Sequence, residues 1–285
     1  MKKNCDLHTH SVFSDGTCTP TQIVDAAVGL GLTHVVLCDH NTVAGLDEFL
    51  SASSGKDITA IPGVEFSTRV FDTDVHLLGL FIDSRFYGDV SELVGEFDIK
   101  KEQSNIELIH SLRKLGYDLS FEELKSSTVT GKFNRAHIAR ALWNKGYVPS
   151  MDDAFKQLLN PNVGIYKEPE RPSFFEMLSF IRSIEAVPVL AHPYVSLTSS
   201  MLGELLPKAK KAGLAGMECA YPLYSATTMQ FAMETANAYG LLPSGGSDFH
   251  GDNKPDIDLG TGKGNNLSVP SSWAEALTAY KREKL

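Results

Sequence analysis

The sequence predicts an α/β fold in which repeated strand–helix units form a parallel sheet that closes into a barrel or a distorted barrel. Three observations support this prediction. Short apolar runs alternate with helical patterns over most of the 285 residues. Glycines, prolines and helix-capping residues separate these runs. A stretch at 100–165 lacks strand patterns, and we interpret it as a helical insert.

The first third of the chain predicts strands at 4–8, 34–38, 58–64 and 75–81, where apolar residues dominate. Thr19-Pro20-Thr21-Gln22 predicts a helix start, with a capping threonine, a proline at the first helical position and a glutamine three residues after the cap. From about residue 98, apolar residues recur at helical spacing, and further helices are expected at 136–145 and 152–159. We therefore expect a barrel domain formed by 1–99 and 166–285, and a substrate-capping helical domain formed by 100–165.

Strands and helices alternate again in the last third of the chain. Strands are predicted at 186–191, 216–220 and 241–244, and helices at 203–212 and 225–239. Ser173-x-x-Glu176 and Ser272-x-x-Glu275 have the pattern of capping boxes, which predicts helices that begin there. These units complete the predicted barrel.

Composition and charge disfavour several classes of protein. Hydrophobic residues make up 42% of the chain, and no apolar run reaches the roughly 18 residues that a membrane span needs. A net charge of −9 argues against binding to long duplex DNA, although it allows a small anionic substrate. The four cysteines form no Cys-x-x-Cys pair, and motif residues begin at Asp6, which leaves no room for a signal peptide. We expect a cytoplasmic protein without a membrane partner.

Six of the nine histidines and three carboxylates lie beside the predicted strands. They are His8, His10, Asp15, His40, Glu65, His76, His192, Asp248 and His250. Because the loops after the strands of a parallel barrel meet at one mouth, we expect these side chains to converge. His76 precedes most of its apolar run, so it fits only if its strand is antiparallel or the barrel is distorted. His34 and His110 lack this context, and we assign them to structural roles.

A mixed set of imidazoles and carboxylates favours Zn²⁺, Mn²⁺ or Fe²⁺ over Ca²⁺. Nine ligands suffice for about two to three ions if one carboxylate bridges two of them. Such ions would outweigh the three carboxylates in charge, so the site could hold a phosphate dianion and an ionised water. The set therefore predicts metal-dependent hydrolysis of a phosphate ester.

Seven motifs that carry these residues together resemble the PHP (polymerase and histidinol phosphatase) superfamily. In chain order they are Asp6-Leu7-His8-Thr9-His10, Ser14-Asp15-Gly16, Asp39-His40-Asn41-Thr42, Gly63-Val64-Glu65, His76, Ala191-His192-Pro193 and Gly246-Ser247-Asp248-Phe249-His250. Asn134-Arg135-Ala136-His137 is similar to a segment of the stand-alone branch that hydrolyses small nucleotides. That branch includes 3′,5′-nucleoside bisphosphatases, AMP-releasing enzymes and 5′-to-3′ oligoribonucleotide exonucleases.

The resemblance implies a distorted seven-stranded β/α (TIM-like) barrel with a small all-helical insert. It places one metal at His8, His10, Glu65 and Asp248, with Glu65 bridging to a second metal at His76 and His192, and a third at Asp15, His40 and His250. It gives catalytic roles to Asp15, His40, Glu65 and His192. Arg135 and His137 are expected to reach the phosphate of a small nucleotide or of a short single-stranded oligonucleotide cleaved from its 5′ end.

Two departures from the family pattern bear on specificity. Asn41 stands where an aspartate is frequent, so His40 would lack an acidic neighbour. Tyr166-Lys167-Glu168-Pro169 replaces a more usual Tyr-Val pair at the substrate side. Without the resemblance, Arg135 would be assigned to an ion pair with Glu122 or Glu123, and we assign Trp143 and Tyr147 to the core of the insert.

Other functions stay open at this point. They are a histidinol-phosphatase-like phosphatase, an amidohydrolase-type hydrolase of a non-phosphate bond, and a non-catalytic metal-binding protein. An amidohydrolase often bridges its metals with a carboxylated lysine, whereas Glu65 occupies the expected bridging position here. The complete ligand set argues against a non-catalytic protein.

Overall fold

The computed structural model of the protein describes residues 4–129, 131 and 133–284. Met1–Lys3 lie outside these residues, and so does the beginning of the segment in which we expect no signal peptide. The main sheet has eight described strands, and the first seven are β1 Asn4–Asp6, β2 His34–Leu37, β3 Thr59–Val70, β4 Thr73–Leu80, β5 Val187–Leu190, β6 Gly216–Ala220 and β7 Leu242–Gly245. Three short strands follow them: β8 Ile257–Asp258, β9 Gly262–Lys263 and β10 Val269–Pro270.

The main strands are ordered from β1 to β7 around the sheet, and β10 pairs with β1. All pairs among β1 to β7 are parallel except those of β4, which is antiparallel to both β3 and β5. The chain after β1 meets β7 through a hydrogen bond of 3.2 Å from the Leu7 amide to the Gly245 carbonyl and a bridge between Thr9 and Phe249. The predicted distorted β/α barrel is confirmed, but its sheet has eight strands rather than seven, because β10 pairs with β1. Strand β4 has the antiparallel direction that His76 requires.

The α-helices of the described chain surround this sheet or lie between β4 and β5. They are α1 Pro20–Gly29, α2 Leu46–Ser53, α3 Tyr87–Lys114, α4 Phe121–Ser126, α5 Arg135–Asn144, α6 Met151–Ala154, α7 Phe174–Ser183, α8 Pro193–Ser196, α9 Ser199–Ala212, α10 Ala226–Ala238 and α11 Ser271–Lys284. Thr19 and Gln22 form the predicted capping box of α1, and Ser173 and Glu176 form that of α7. Among the described helices, none combines the length and the apolar character that crossing a bilayer demands.

The segment between β4 and β5 has a hydrophobic cluster of its own, to which α3, α4, α5 and α6 contribute. Helix α3 is continuous from Tyr87, so the expected domain boundary at residue 99 falls within a helix. Ile138 and Leu142 fill the buried face of α5. Trp143, on the other face of α5, is 40% exposed, and Tyr147, after the end of α5, is 38% exposed, so the assignment of both to this core was wrong.

Candidate metal centre

The nine predicted residues converge at the mouth of the barrel. Each has a side-chain nitrogen or oxygen within 3.2 Å of another member of the set. His8 and His10 follow β1, His40 follows β2, His192 follows β5, and Asp248 and His250 follow β7. Strand β3 is longer than predicted, so Glu65 lies within it, and the antiparallel register of β3 and β4 brings His76 to the same place.

Glu65 lies at the middle of the cluster and contacts five histidines with its two oxygens. Its Oε1 is 2.7 Å from His76 Nδ1 and 3.0 Å from His192 Nε2. Its Oε2 is between 3.1 and 3.3 Å from the nearest ring nitrogens of His8, His10 and His40. A carboxylate with this many neighbours on both oxygens has the geometry of a bridge between two ions.

The carboxylates of the cluster are held in their charged form. Burial alone would raise the pKa of Glu65, but the imidazoles of His76, His40 and His8 outweigh it and hold that pKa well below its ordinary value. Burial is likewise outweighed for Asp248, whose pKa is lowered by Lys254 and His250. Ionised carboxylates are the form that binds a cation.

Several overlapping groups of donor atoms could each hold one ion, with all atoms of a group within 4.8 Å of one another. One group consists of His8, His10, Glu65 and Asp248, another of His40, Glu65 and His76, and another of His10, Asp15, His40 and His250. The first agrees with the grouping implied by the family resemblance. The second has His40 where the expected set has His192, which groups instead with His8 and Glu218 and contacts Glu65 at 3.0 Å; the third adds His10 to the expected set.

Two buried atoms at the centre show that this donor set suits a cation. Glu65 Oε2 and His40 Nδ1 are 3.1 Å apart, and neither has a hydrogen-bond partner among the described residues. Buried polar atoms are rarely left without a partner, because their desolvation then goes uncompensated. A divalent ion bound by imidazole and carboxylate would satisfy both, so these residues fit the predicted metals.

The similarity of this chain to known proteins identifies its family. The PHP domain model matches residues 6–168, which is more than half of the chain. The chain belongs to the PHP domain family. It is a metal-dependent hydrolase of phosphoric esters, so the predicted enzyme class is confirmed.

Two relatives and one solved structure place the chain within the PHP family. The 5′-3′ exoribonuclease of Haemophilus influenzae is 31% identical over 251 residues, which cover 88% of this chain and 91% of the relative. The 3′,5′-nucleoside bisphosphate phosphatase of Chromobacterium violaceum is 30% identical over 90% of each chain. A Bifidobacterium adolescentis protein described as a metal-dependent phosphoesterase superposes with a TM-score of 0.85 at 27% identity, covering 97% of this chain and 96% of the other.

Glu218, on β6, is a part of the PHP site that the sequence analysis missed. It is fully buried, and its Oε1 is 2.9 Å from His8 Nδ1. Its Oε2 accepts a hydrogen bond of 2.7 Å from the backbone amide of His192. When His8 Nδ1 carries the proton, its Nε2 offers a lone pair to an ion that Glu65 and Asp248 would also hold. The available signal was an acidic residue inside the otherwise apolar strand Gly216–Ala220.

The loop after β7 is held in place by a second buried carboxylate. Asp6 accepts hydrogen bonds from the amide and the hydroxyl of Ser247 and from the Gly260 amide. Asp248 has a φ of 51°, in the left-handed region that few non-glycine residues adopt. Its Oδ2 accepts hydrogen bonds from the Tyr221 hydroxyl and the Lys254 ammonium, so Oδ1 faces His10.

Arg135 and His137 lie at the start of α5, and the structure places them differently. Arg135 lines a cavity of about 170 Å³ beside Asp15, His40 and His76. Its guanidinium carbon lies 4.4 Å from the centre of the Tyr166 ring, and it donates to the Leu159 carbonyl. The alternative partner Glu123 pairs with Lys145 instead.

His137 Nδ1 accepts a hydrogen bond of 3.2 Å from the Asn134 backbone amide, which completes the capping box of α5. Asn134 in turn donates a hydrogen bond of 3.2 Å to Asp15. Asn134 lines the cavity, whereas His137 is not among its described lining residues. A direct contact of His137 with the substrate stays a prediction.

The Asn41 side chain is bound to Ser67 of β3. Its amide nitrogen donates to the Ser67 hydroxyl, and its carbonyl oxygen accepts from the Ser67 amide, both at 3.1 Å. Asparagine also tolerates the left-handed backbone at this position, where φ is 50°. The asparagine therefore joins the loop after β2 to β3. The His40 ring itself lies between Glu65 and Asp15, with its nearest nitrogens at 3.1 and 3.8 Å.

Proposed function

We propose that this PHP protein removes a phosphate from small nucleotides, with a nucleoside 3′,5′-bisphosphate or a similar compound as the substrate, and that it also shortens short oligonucleotides from the 5′ end. The observation that carries the proposal is the bridging geometry of Glu65 next to a cavity that contains Arg135. The activities named for the Haemophilus and Chromobacterium relatives support the choice of nucleotides.

The proposal assigns about two to three Mn²⁺, Zn²⁺ or Fe²⁺ ions to the nine residues of the cluster. His8, His10, Glu65 and Asp248 would hold one ion, His76 and His192 a second with Glu65 shared, and Asp15, His40 and His250 a third. Bound ions of this kind lower the pKa of water and stabilise negative charge on phosphoryl oxygens. Asp15, His40, Glu65 and His192 would carry the catalytic roles expected of them.

The residues of the chain supply orientation and selectivity. Arg135 offers a planar, permanently charged fork to two phosphate oxygens, and stacking on Tyr166 limits its movement. Asn134 orients Asp15 at the edge of the cluster. We propose that the helical segment 100–165 acts as a cap that admits small or single-stranded substrates and excludes long duplex DNA. The cysteines of the described chain are unpaired, which supports a reducing compartment such as the cytoplasm.

Phosphate release across a substrate panel tests this proposal. The panel contains AMP, adenosine 3′,5′-bisphosphate, histidinol phosphate and short 5′-phosphorylated RNA, with metal content measured on the same protein. We expect the bisphosphate to have the highest kcat/KM. A preference for histidinol phosphate would support the histidinol-phosphatase alternative, and inactivity of metal-loaded protein towards every nucleotide would contradict the proposal.

A further inference from the structure

Cys38 is a buried cysteine that lies next to the metal cluster. It comes directly after β2, and its side chain is fully buried. Its sulfur lies within 4.8 Å of a ring nitrogen of His8 and of a ring nitrogen of His10, so the three residues form a further group of donor atoms that could hold one ion. The nine residues of the cluster offer only imidazole and carboxylate donors, so Cys38 adds a different kind of atom to the site.

The other three cysteines of the protein are placed differently. No group of metal-donor atoms among the described residues includes Cys5, Cys18 or Cys219. The thiols of Cys5 and Cys219 are buried and donate to backbone carbonyls, and Cys18 is partly exposed. The Cys38 thiol also has a carbonyl within reach, that of Thr9 at 3.6 Å, but among the described cysteines it is the one that adjoins two histidines of the cluster.

An unsatisfied carboxylate oxygen marks the place of an ion beside these two histidines. Glu65 Oε2 is 3.3 Å from His8 Nε2 and 3.2 Å from His10 Nε2, and it has no hydrogen-bond partner among the described residues. The two ring nitrogens are themselves 3.0 Å apart. Three fully buried donor groups this close together favour a cation between them, because a cation compensates the desolvation of the carboxylate. This observation is independent of the position of Cys38.

Coordination distances allow the Cys38 sulfur to join such an ion. Zn–S and Zn–N bonds of about 2.3 and 2.0 Å place the sulfur and nitrogen ligands of one ion roughly 3.5 Å apart. Because the sulfur is at most 4.8 Å from the nitrogens of His8 and His10, a side-chain shift of roughly an ångström is sufficient. The sulfur would then be a fifth donor beside His8, His10, Glu65 and Asp248, and zinc accepts five ligands as well as four.

We propose that the Cys38 sulfur is a ligand of the ion held by His8 and His10, and that it makes this ion site prefer Zn²⁺ to Mn²⁺. This inference rests on the proposed function, which assigns an ion to His8 and His10. When the ion binds, the metal–sulfur bond forms, the S–H bond breaks and the proton leaves to solvent, with no change of oxidation state. Thiolate sulfur is a soft donor that suits Zn²⁺, whereas Mn²⁺ is better matched by carboxylates and water.

Cobalt spectroscopy tests for a sulfur ligand directly. Co²⁺ bound by a thiolate absorbs strongly in the near ultraviolet, whereas Co²⁺ bound only by nitrogen and oxygen does not. Metal-free wild type, Cys38→Ser and Cys5→Ser are titrated with Co²⁺ in the absence of oxygen. Cys5→Ser is the matched control, because Cys5 is equally buried and belongs to the same hydrophobic cluster as Cys38, but its sulfur adjoins the carbonyls of Val269 and Pro270. We expect the near-ultraviolet band in wild type and Cys5→Ser, and its loss in Cys38→Ser while the visible bands of bound Co²⁺ remain.

Metal preference gives a second measurement. Titration of the same proteins with Zn²⁺ and with Mn²⁺ against a competing chelator should show that Cys38→Ser lowers the preference for Zn²⁺ by roughly tenfold or more. Cys5→Ser should keep the wild-type preference.

The outcomes separate the sulfur ligand from the metal centre. Wild type that binds Co²⁺ without the near-ultraviolet band overturns the inference, as does a band that persists in Cys38→Ser or an unchanged preference for Zn²⁺ in that variant. If thermal unfolding shows that Cys38→Ser does not fold, Cys38→Ala takes its place, and the wild-type spectrum is decisive without either variant. Wild type that binds no Co²⁺, Zn²⁺ or Mn²⁺ contradicts the proposed function itself.

Discussion

Glu218→Gln tests how the buried carboxylate behind the cluster supports metal binding. Glu218 uses one oxygen for His8 Nδ1 at 2.9 Å and the other for the His192 amide at 2.7 Å. Glutamine has nearly the same shape, but it offers a single acceptor oxygen and no charge. One of the two contacts must therefore face an NH₂ group, and both donors lose a charged partner.

The expected effect is a loss of metal affinity without a loss of the fold. Replacing a partner that orients a metal-binding histidine typically lowers affinity by about ten- to a hundredfold. We expect a loss in this range, equivalent to about 1.4–3 kcal/mol of binding free energy. Because His8 and His192 belong to different proposed ions, affinity should fall at two sites together.

Titration of metal-free protein with Mn²⁺ or Zn²⁺ against a competing chelator measures these affinities directly. Glu204→Gln is the matched control, because Glu204 is exposed and its described ion pair is with Lys208 on the same helix. Thermal unfolding of the metal-free proteins checks that both variants fold. Wild-type affinity at every site in folded Glu218→Gln would refute the positioning role, and a loss confined to one site would refute the coupling through Glu218.

Three further predictions concern the cluster and its surroundings. Glu65→Gln should lower occupancy at two metal sites together in elemental analysis, because the bridge loses its charge; loss at a single site would contradict the bridge. Arg135→Ala should keep its metals but lose about ten- to two-hundredfold in kcat/KM on the best nucleotide, because that is the contribution of a charge-assisted contact. Arg135→Lys should recover part of this loss. Wild-type kcat/KM in the alanine variant would show that Arg135 does not bind the substrate. Gly246→Ala should lower the free energy of unfolding by about 1–3 kcal/mol, because the new Cβ would lie 2.4 Å from the backbone nitrogen of His8. Gly29→Ala is the control, because a Cβ at Gly29 meets no atom within 4 Å. Equal denaturation midpoints for the Gly246→Ala and Gly29→Ala variants would contradict the predicted clash at Gly246.

Much of this site could be predicted because its members follow a local rule. Each predicted strand consists of contiguous residues, so a polar residue next to its end can be identified from the sequence without knowledge of any distant contact. In a barrel those positions share one mouth, so His8, His40, Glu65 and His192 could be grouped before their distances were known. The capping boxes at Thr19 and Ser173 were predictable for the same reason, since each uses residues only three positions apart.

The tertiary structure decided what depends on distant partners. Glu218 contacts His8 across 210 positions of the chain, so its place inside an apolar strand did not tell which side chain it contacts. The direction of β4 depends on hydrogen bonding to both neighbouring strands, so the sequence could state only the condition that His76 imposes. The exposure of Trp143 likewise depends on how α5 packs against the other helices of its segment. The sequence by itself determined the residues of the cluster and their order along the strands, and packing determined their partners and the space open to a substrate.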